Sequence, residues 1–487
     1  MAFARGGNKN FICRAKTIPR YSFREVFNLK DENATSDKER HIFLYVPIFQ
    51  RRYCWGQEQV GNFIKDAIKI AYKPNLGGGL KNVTSSSRVP FGNKAHSFGR
   101  IVISERDEDN GLRVVDGQQR MTTVCLFLSS VRDYFSKQNL SPELCQAIDD
   151  ILFPLGREHG CILTPTYFDR EPFNACINGF HTFQDYLKDS NNNVNSDIIN
   201  VRRMCDHAIE TGYVFKRVAA KFSDKPLGDG KDVELLELSA ISFLQAFLDG
   251  FNILFFKMMD KTNTMNSYFR LAIREFGLKK QFSINSPGVG MATADLIRNL
   301  LLTCFNDEKK QLMIYQTYWA PIEKMARLTG LDQEKDKNVN MIKNMTIVLN
   351  KFIDEADDRI VEKGKEAQSK LKWQDPSIVL FPLYTKLLTC IEGELSMNGI
   401  EVPIVLSTVS PEIENIVLKW LKKFKAFCDK AFATGIDNIE KSNESKETGG
   451  IFKGKRKGTY LSSMDDASNM RKNKDLNNNN DNFKMPQ

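Results

Sequence analysis

The stretch Leu112-Arg113-Val114-Val115-Asp116-Gly117-Gln118-Gln119-Arg120-Met121-Thr122-Thr123-Val124-Cys125-Leu126-Phe127-Leu128 constrains this chain more than any other. It reads as strand, tight turn, helix. Leu112 to Val115 is a short β-prone apolar run, and Asp116-Gly117 breaks it. From Gln118 onward Met121, Val124, Cys125 and Leu128 recur at helical spacing. A glycine at such a turn lets backbone approach a ligand closely. The first helical turn leaves N–H groups without intrahelical partners, and the helix dipole favours an anion there. Arg120 sits in that turn, where a planar guanidinium can grip a phosphate through two hydrogen bonds. The pattern describes either a phosphate site or an ordinary strand–helix junction capped by Asp116, and by itself leaves both open.

Upstream, a strand predicted over His41–Val46 runs into Pro47-Ile48-Phe49-Gln50-Arg51-Arg52-Tyr53-Cys54-Trp55. Arginine beside aromatic faces suits phosphate and base contacts. The bland alternative makes Tyr53 and Trp55 core anchors and leaves Arg51 and Arg52 solvated. An amphipathic helix is predicted over Gln57–Tyr72, a long loop insertion over 73–97, and a strand over Phe98–Ser104 with a hairpin-like connection to Leu112. Further helices are predicted over 142–152, from Asp169, over 198–222 and over 233–247, then an apolar strand over Phe251–Met259. A third polar stretch follows: a turn at Asn285–Gly290 and a helix over Met291–Leu302 with Thr293 as its N-cap. Asp295 and Arg298 share a face there, and on a surface such a pair contributes only about 0.2–0.5 kcal/mol. Helical pattern continues near 308–327, 338–355, 377–392 and 410–434.

Several classes are excluded or weakened. No apolar run approaches the roughly 20 residues of a membrane span. The basic start, Met1–Lys16, lacks the apolar segment of a secretory signal. The ten cysteines are scattered singly without a CxxC, which predicts reduced thiols rather than a disulfide framework or zinc site. An intracellular location is expected, cytoplasmic or nuclear, the latter resting on the basic cluster Lys453-Gly454-Lys455-Arg456-Lys457. The net charge of +9 is a mild bias, compatible with nucleotide or nucleic-acid partners. None of the five histidines lies beyond His207, so the C-terminal half cannot hold a His-dependent nuclease or zinc hydrolase site. Residues 449–456 mimic a P-loop, but Arg456 stands where Ser or Thr must hold magnesium. Gly288-Val289-Gly290 lacks the third glycine of a dinucleotide fingerprint.

Three separated blocks resemble one family. Val46–Trp55 is similar to an "IP-x-x-QR-x-Y-x-W" block. Phe98–Ile103 with Val114–Thr123 is similar to a "GxIV…VVDGQQRLTT" block. Asn285–Gly288 leading to Ala294–Asn299 is similar to an "N-x-x-G…x-DLIRN" block. Together they resemble the N-terminal domain of GmrSD-type, modification-dependent restriction endonucleases, over roughly residues 20–330. The resemblance implies an α+β fold: a small mixed-sheet ParB/sulfiredoxin-like core, then a largely α-helical region; after Gly435 a composition dominated by Lys, Asn, Ser, Asp and Gly predicts a disordered C-terminal tail. The expected organisation is a flexible arm 1–20, a nucleotide-binding core 21–190, a helical continuation 191–330, an α-helical region 331–435 and a basic, Asn-rich tail 436–487.

The resemblance also implies nucleotide binding and hydrolysis, with NTP and Mg²⁺ as cofactors. Carried across, Asp116, Gln118, Gln119 and Arg120 are the candidate catalytic residues, Asp116 also holding Mg²⁺. Gln50, Arg51, Arg52, Tyr53, Gly117, Thr122, Asp295, Arg298 and Asn299 are the candidate nucleotide-binding set. The family's His-Asn-His nuclease half is expected to be missing here, so DNA cleavage would need a separate nuclease subunit. One alternative is a non-catalytic nucleic-acid-binding or regulatory module of the same fold. Another, a degenerate scaffold, is disfavoured because nothing structural is expected to require so many polar residues in these blocks.

Overall fold

The computed structural model describes residues 20–30, 41–71, 96–105, 111–189, 196–223, 233–258, 293–305, 307–329, 337–369, 382–399 and 410–434. The arm, the 73–95 part of the insertion, the turn at 285–290 and the tail lie outside them. Among the described residues six strands form one mixed sheet in the order β1-β6-β3-β4-β2-β5. They are β1 (Arg20–Tyr21), β2 (Leu44–Tyr45), β3 (His96–Glu105), β4 (Leu112–Asp116), β5 (Leu163–Thr164) and β6 (Phe251–Met258). β3 and β4 pair antiparallel, with Ile103 opposite Val114, and the expected hairpin-like connection between them lies outside the described residues. β2 pairs in parallel with both β4 and β5, and β6 runs parallel to β3 and antiparallel to β1.

Helices α1 (Phe23–Phe27), α2 (Gln57–Ile70), α3 (Gln118–Lys137), α4 (Pro142–Leu152), α5 (Tyr167–Ile177), α6 (Phe180–Lys188), α7 (Asp197–Glu210), α8 (Tyr213–Ala219) and α9 (Val233–Asp249) surround this sheet. The helix expected over 198–222 is in fact two, because Gly212 takes a left-handed φ of 71° between α7 and α8. Helix α3 was expected to show one apolar face, yet almost its whole surface is buried. It packs against α4, α5, α7 and α9. Its buried surface is apolar in the middle, where the Phe127, Phe243 and Phe247 rings meet, and polar towards both ends, where Gln118 to Arg120 and Arg132 with Asp133 are buried as well. The first core extends from Phe23 to Phe255.

A second core is built almost entirely from helices. It gathers α10 (Thr293–Thr303), α11 (Glu308–Ile314), a π turn (Tyr315–Trp319), α12 (Ala320–Leu328), α13 (Lys337–Asp354), α15 (Pro382–Met397) and α16 (Pro411–Thr434). Helix α14 (Asp358–Ser369), inside the expected α-helical region 331–435 but between its two middle segments, lies against α15 so tightly that Gly364 and Gly393 each face a carbonyl of the other helix. Ala294 and Ala431 both belong to this core, so the expected boundary at 330 falls inside it. Phe49 belongs here, whereas Tyr53 and Trp55 belong to the first core. The Pro47–Trp55 segment therefore stitches the two cores together. No helix among the described residues is long and apolar enough to cross a membrane.

Candidate functional site

Gly117 makes the turn at the head of α3 with φ 101° and supplies no side-chain cap. Its close approach is to β3 rather than to outside space: a Cβ there would stand 2.7 Å from Ile101 Cγ1. The first intrahelical bond runs from Met121 N–H to Gly117 O at 3.2 Å. The N–H groups of Gln118, Gln119 and Arg120 precede it and form the positive end of the helix. Beside the turn, Arg100 Nε donates to Asp116 Oδ2 at 2.8 Å, and Arg120 Nη1 donates to Arg100 O at 3.1 Å.

The glutamines reach in a consistent direction. Gln118 Nε2 donates to Arg51 O at 3.0 Å and Gln119 Nε2 to Arg52 O at 3.1 Å. Gln119 Oε1 accepts from Cys54 N–H at 2.8 Å, and Gln50 Nε2 donates to Val115 O at 2.7 Å. The expectation that nothing structural requires these polar groups is thereby corrected. They hold an irregular segment whose backbone has no ladder of its own, and a buried backbone group left unpaired is costly. Thr122 is buried in α3, and the Tyr53 hydroxyl lies 2.7 Å from Thr123 Oγ1 inside the core.

The third block completes the junction. Arg298, 3% exposed, donates to Glu323 Oε1 at 2.9 Å and to Phe49 O at 3.3 Å, and pairs with Asp295 at 3.1 Å. The Asn299 amide donates to the same Phe49 carbonyl. Arg298 is buried and Asp295 half-buried, so this is not the surface pair its spacing suggested. Glu323 also accepts from Trp319 Nε1 at 2.8 Å and from the Tyr315 hydroxyl. Burial works to raise the Glu323 carboxyl, but Arg298 and Arg52 hold it below its ordinary value.

Arg52 lies 4.0 Å over the Phe168 ring, and its buried Nε has no acceptor among the described residues. Phe168 in turn packs on Tyr315, centroid to centroid 4.9 Å. Next to Phe168, Asp169 accepts from Tyr53 N–H at 2.7 Å and from Thr166 Oγ1 at 2.9 Å. Burial pushes its carboxyl from 3.8 up to about 6. An acid whose folded-state pKa is raised loses stability as pH rises. Asp169 therefore stabilises most below pH 3.8, and that contribution disappears as pH climbs to about 6. Asp169→Asn, which keeps an acceptor for Tyr53 N–H, is expected to flatten the dependence of the urea midpoint on pH across this window. An unchanged slope would show that Asp169 does not titrate there.

Arg100, Asp169 and Glu323 are the site residues that sequence reasoning missed. Arg100 had a signal, because antiparallel pairing of its strand with β4 places Val102 opposite Asp116. Asp169 had one in its place three residues after Thr166 at the start of α5, the spacing at which the two side chains bond, while Glu323 had none. Among the described residues no three His, Cys, Asp or Glu side chains cluster as a metal site.

All three blocks thus meet on the Phe49–Cys54 backbone. The GmrSD restriction endonuclease N-terminal domain matches residues 29–302, more than half of the chain. The chain belongs to this family. A comparison with curated proteins finds no match. The GmrSD match runs from just after α1 to the end of α10, so it contains the whole junction apart from the Glu323 side.

Proposed function

We propose that this GmrSD-family chain binds a nucleoside triphosphate at the α3 turn and hydrolyses it, with a ParB/sulfiredoxin-like sheet as platform. The observation that carries this reading is the convergence of three sequence-distant blocks on one backbone segment. The uncapped positive end of α3 would receive a phosphate, with Arg51, Arg100 and Arg120, from three different segments, as its candidate ligands. Gln50, Gln118 and Gln119 set the arginine segment in place, and Gly117 supplies backbone N–H directions. Asp116 would hold Mg²⁺; a single carboxylate suffices where phosphates and water complete the shell, and the ion then neutralises developing charge. Asp295, Arg298 and Asn299 act as positioning residues through Phe49 O. Modified DNA and a separately encoded nuclease subunit are the partners this reading gives the chain.

The pairing of Asp116 with Arg100 favours a second reading, in which phosphate is bound without turnover. A panel of nucleoside triphosphates with Mg²⁺, with and without DNA, separates the two. The first reading expects saturable binding and phosphate release, with binding weakened at least about tenfold in Arg51→Ala, the loss of one charge-assisted contact. Binding without release supports the second. Wild-type protein that binds no nucleotide overturns the first.

A further inference from the structure

Glu323 lies on α12, past residue 302, where the family match ends. Its carboxylate is buried and both oxygens are engaged. Oε1 accepts from Arg298 Nη1 at 2.9 Å and from Trp319 Nε1 at 2.8 Å, and Oε2 accepts from the Tyr315 hydroxyl. The local sequence makes this convergence. Pro321 has no N–H to give the helix before it, and the π turn Tyr315–Trp319 directly precedes its helix. Tyr315, Trp319 and Glu323, four residues apart, come onto one face. From Glu323 two routes lead to the same backbone segment. Arg298 donates Nη2 to Phe49 O at 3.3 Å. Tyr315 packs on Phe168, and Arg52 lies over the other ring of that pair. Gln118 and Gln119 hold Arg51 O and Arg52 O from the side of α3. Arg51 and Arg52 are thus suspended between α3 and the helical core.

We propose that Glu323 is a positioning residue for the nucleotide site, fixing Arg51 and Arg52 through Arg298 and through the Phe168–Tyr315 ring pair. The inference rests on the nucleotide-binding reading above. Glu323 itself meets no phosphate in this role. It keeps Arg298 on Phe49 O, and Tyr315 under Phe168. Without it the segment is held from α3 alone. A long arginine side chain on a loosened segment still reaches a phosphate, but not at the geometry the transition state demands. A displacement of about 1 Å far from the chemistry can cost about 10²-fold in rate. Such coupling is reciprocal: nucleotide that seats Arg51 also changes the setting of Glu323 and its Trp319 partner.

The test uses the full chain with ATP, GTP, CTP and UTP, each with Mg²⁺. Glu323→Ala is expected to lower kcat about tenfold or more while KM changes less than about threefold, thermal melting serving as fold control. Glu323→Gln keeps an acceptor for Arg298 and Trp319 and should recover most of that rate. Tryptophan emission is a second readout that needs binding but no turnover. Nucleotide should change the emission of wild type, and Trp319→Phe, which keeps a ring against Phe424, should abolish the change. Wild type that binds none of the four nucleotides removes the nucleotide reading itself, and this inference with it. Wild type that binds nucleotide without a Trp319-dependent change, or a folded Glu323→Ala with wild-type kcat, overturns the positioning role alone.

Discussion

Arg120→Ala is expected to lower nucleotide turnover by about 10²-fold or more, the scale on which a lost donor to a developing anion is felt. Arg120 lies in the first turn of α3 and is tied by one guanidinium nitrogen to Arg100 O at 3.1 Å, which fixes the direction of the rest of the fork. Alanine removes both the charge and the tie to β3. Arg120→Lys keeps the charge without the planar fork, so it should restore binding more than turnover. Steady-state phosphate release, with thermal melting as a fold control, checks both. Unchanged turnover in a folded Arg120→Ala protein would move the chemistry away from this turn.

The second large effect is on stability. Arg202, 1% exposed, donates to Asp133 Oδ2 at 2.6 Å, to Asp206 Oδ1 at 2.9 Å, to Ser129 Oγ at 3.0 Å and to Cys176 O. Arg132 takes Ile177 O at 2.8 Å, and Arg157 takes Asn178 O at 2.6 Å. Three guanidiniums therefore close the C-terminal end of α5, whose last carbonyls have no intrahelical partner. Arg202→Met should cost about 3–5 kcal/mol, because Asp133 and Cys176 O are left buried and underpaired. A drop in denaturant midpoint at constant slope would report it. Adding Asp133→Leu should recover part of the loss, since replacing both members of a buried pair costs less than removing one. A loss below about 1 kcal/mol in Arg202→Met would mean that solvent reaches this network. The effect bears on the candidate site as well, because α5 also carries Asp169, the acceptor for Tyr53 N–H.

Much of this was legible in the sequence, for local reasons. The strand–turn–helix at Leu112–Lys137 follows from β-prone residues, one glycine and a helical period, all within a few residues of each other. The bland expectation for Tyr53 and Trp55 as core anchors also stands, since both are buried. What was not legible depends on partners far along the chain. Spacing alone made Asp295 and Arg298 a surface pair; Glu323, 25 residues further on, draws Arg298 inside. Nothing near Phe49 says that it joins a different core from Tyr53. Glutamine at positions 50, 118 and 119 advertises hydrogen bonding without saying whether a ligand or the chain's own backbone will receive it. The π turn at Tyr315–Trp319 interrupts a helix that periodicity reads as continuous.

The place of β6 in the sheet sets the order in which this protein can be made. β6 lies between β1 and β3, both of which leave the ribosome long before it. Arg24 and Asp249, a doubly hydrogen-bonded buried pair, are 225 residues apart in sequence. Until β6 has emerged, β3 has one unpaired edge, and until residue 249 has emerged Arg24 lacks its Asp249 partner. Non-local pairings of this kind slow folding and leave strand edges exposed to other chains meanwhile. Truncation anywhere before β6 should therefore yield an aggregating fragment rather than a smaller domain, and the nascent chain depends on protection until its sixth strand is threaded between the first and the third.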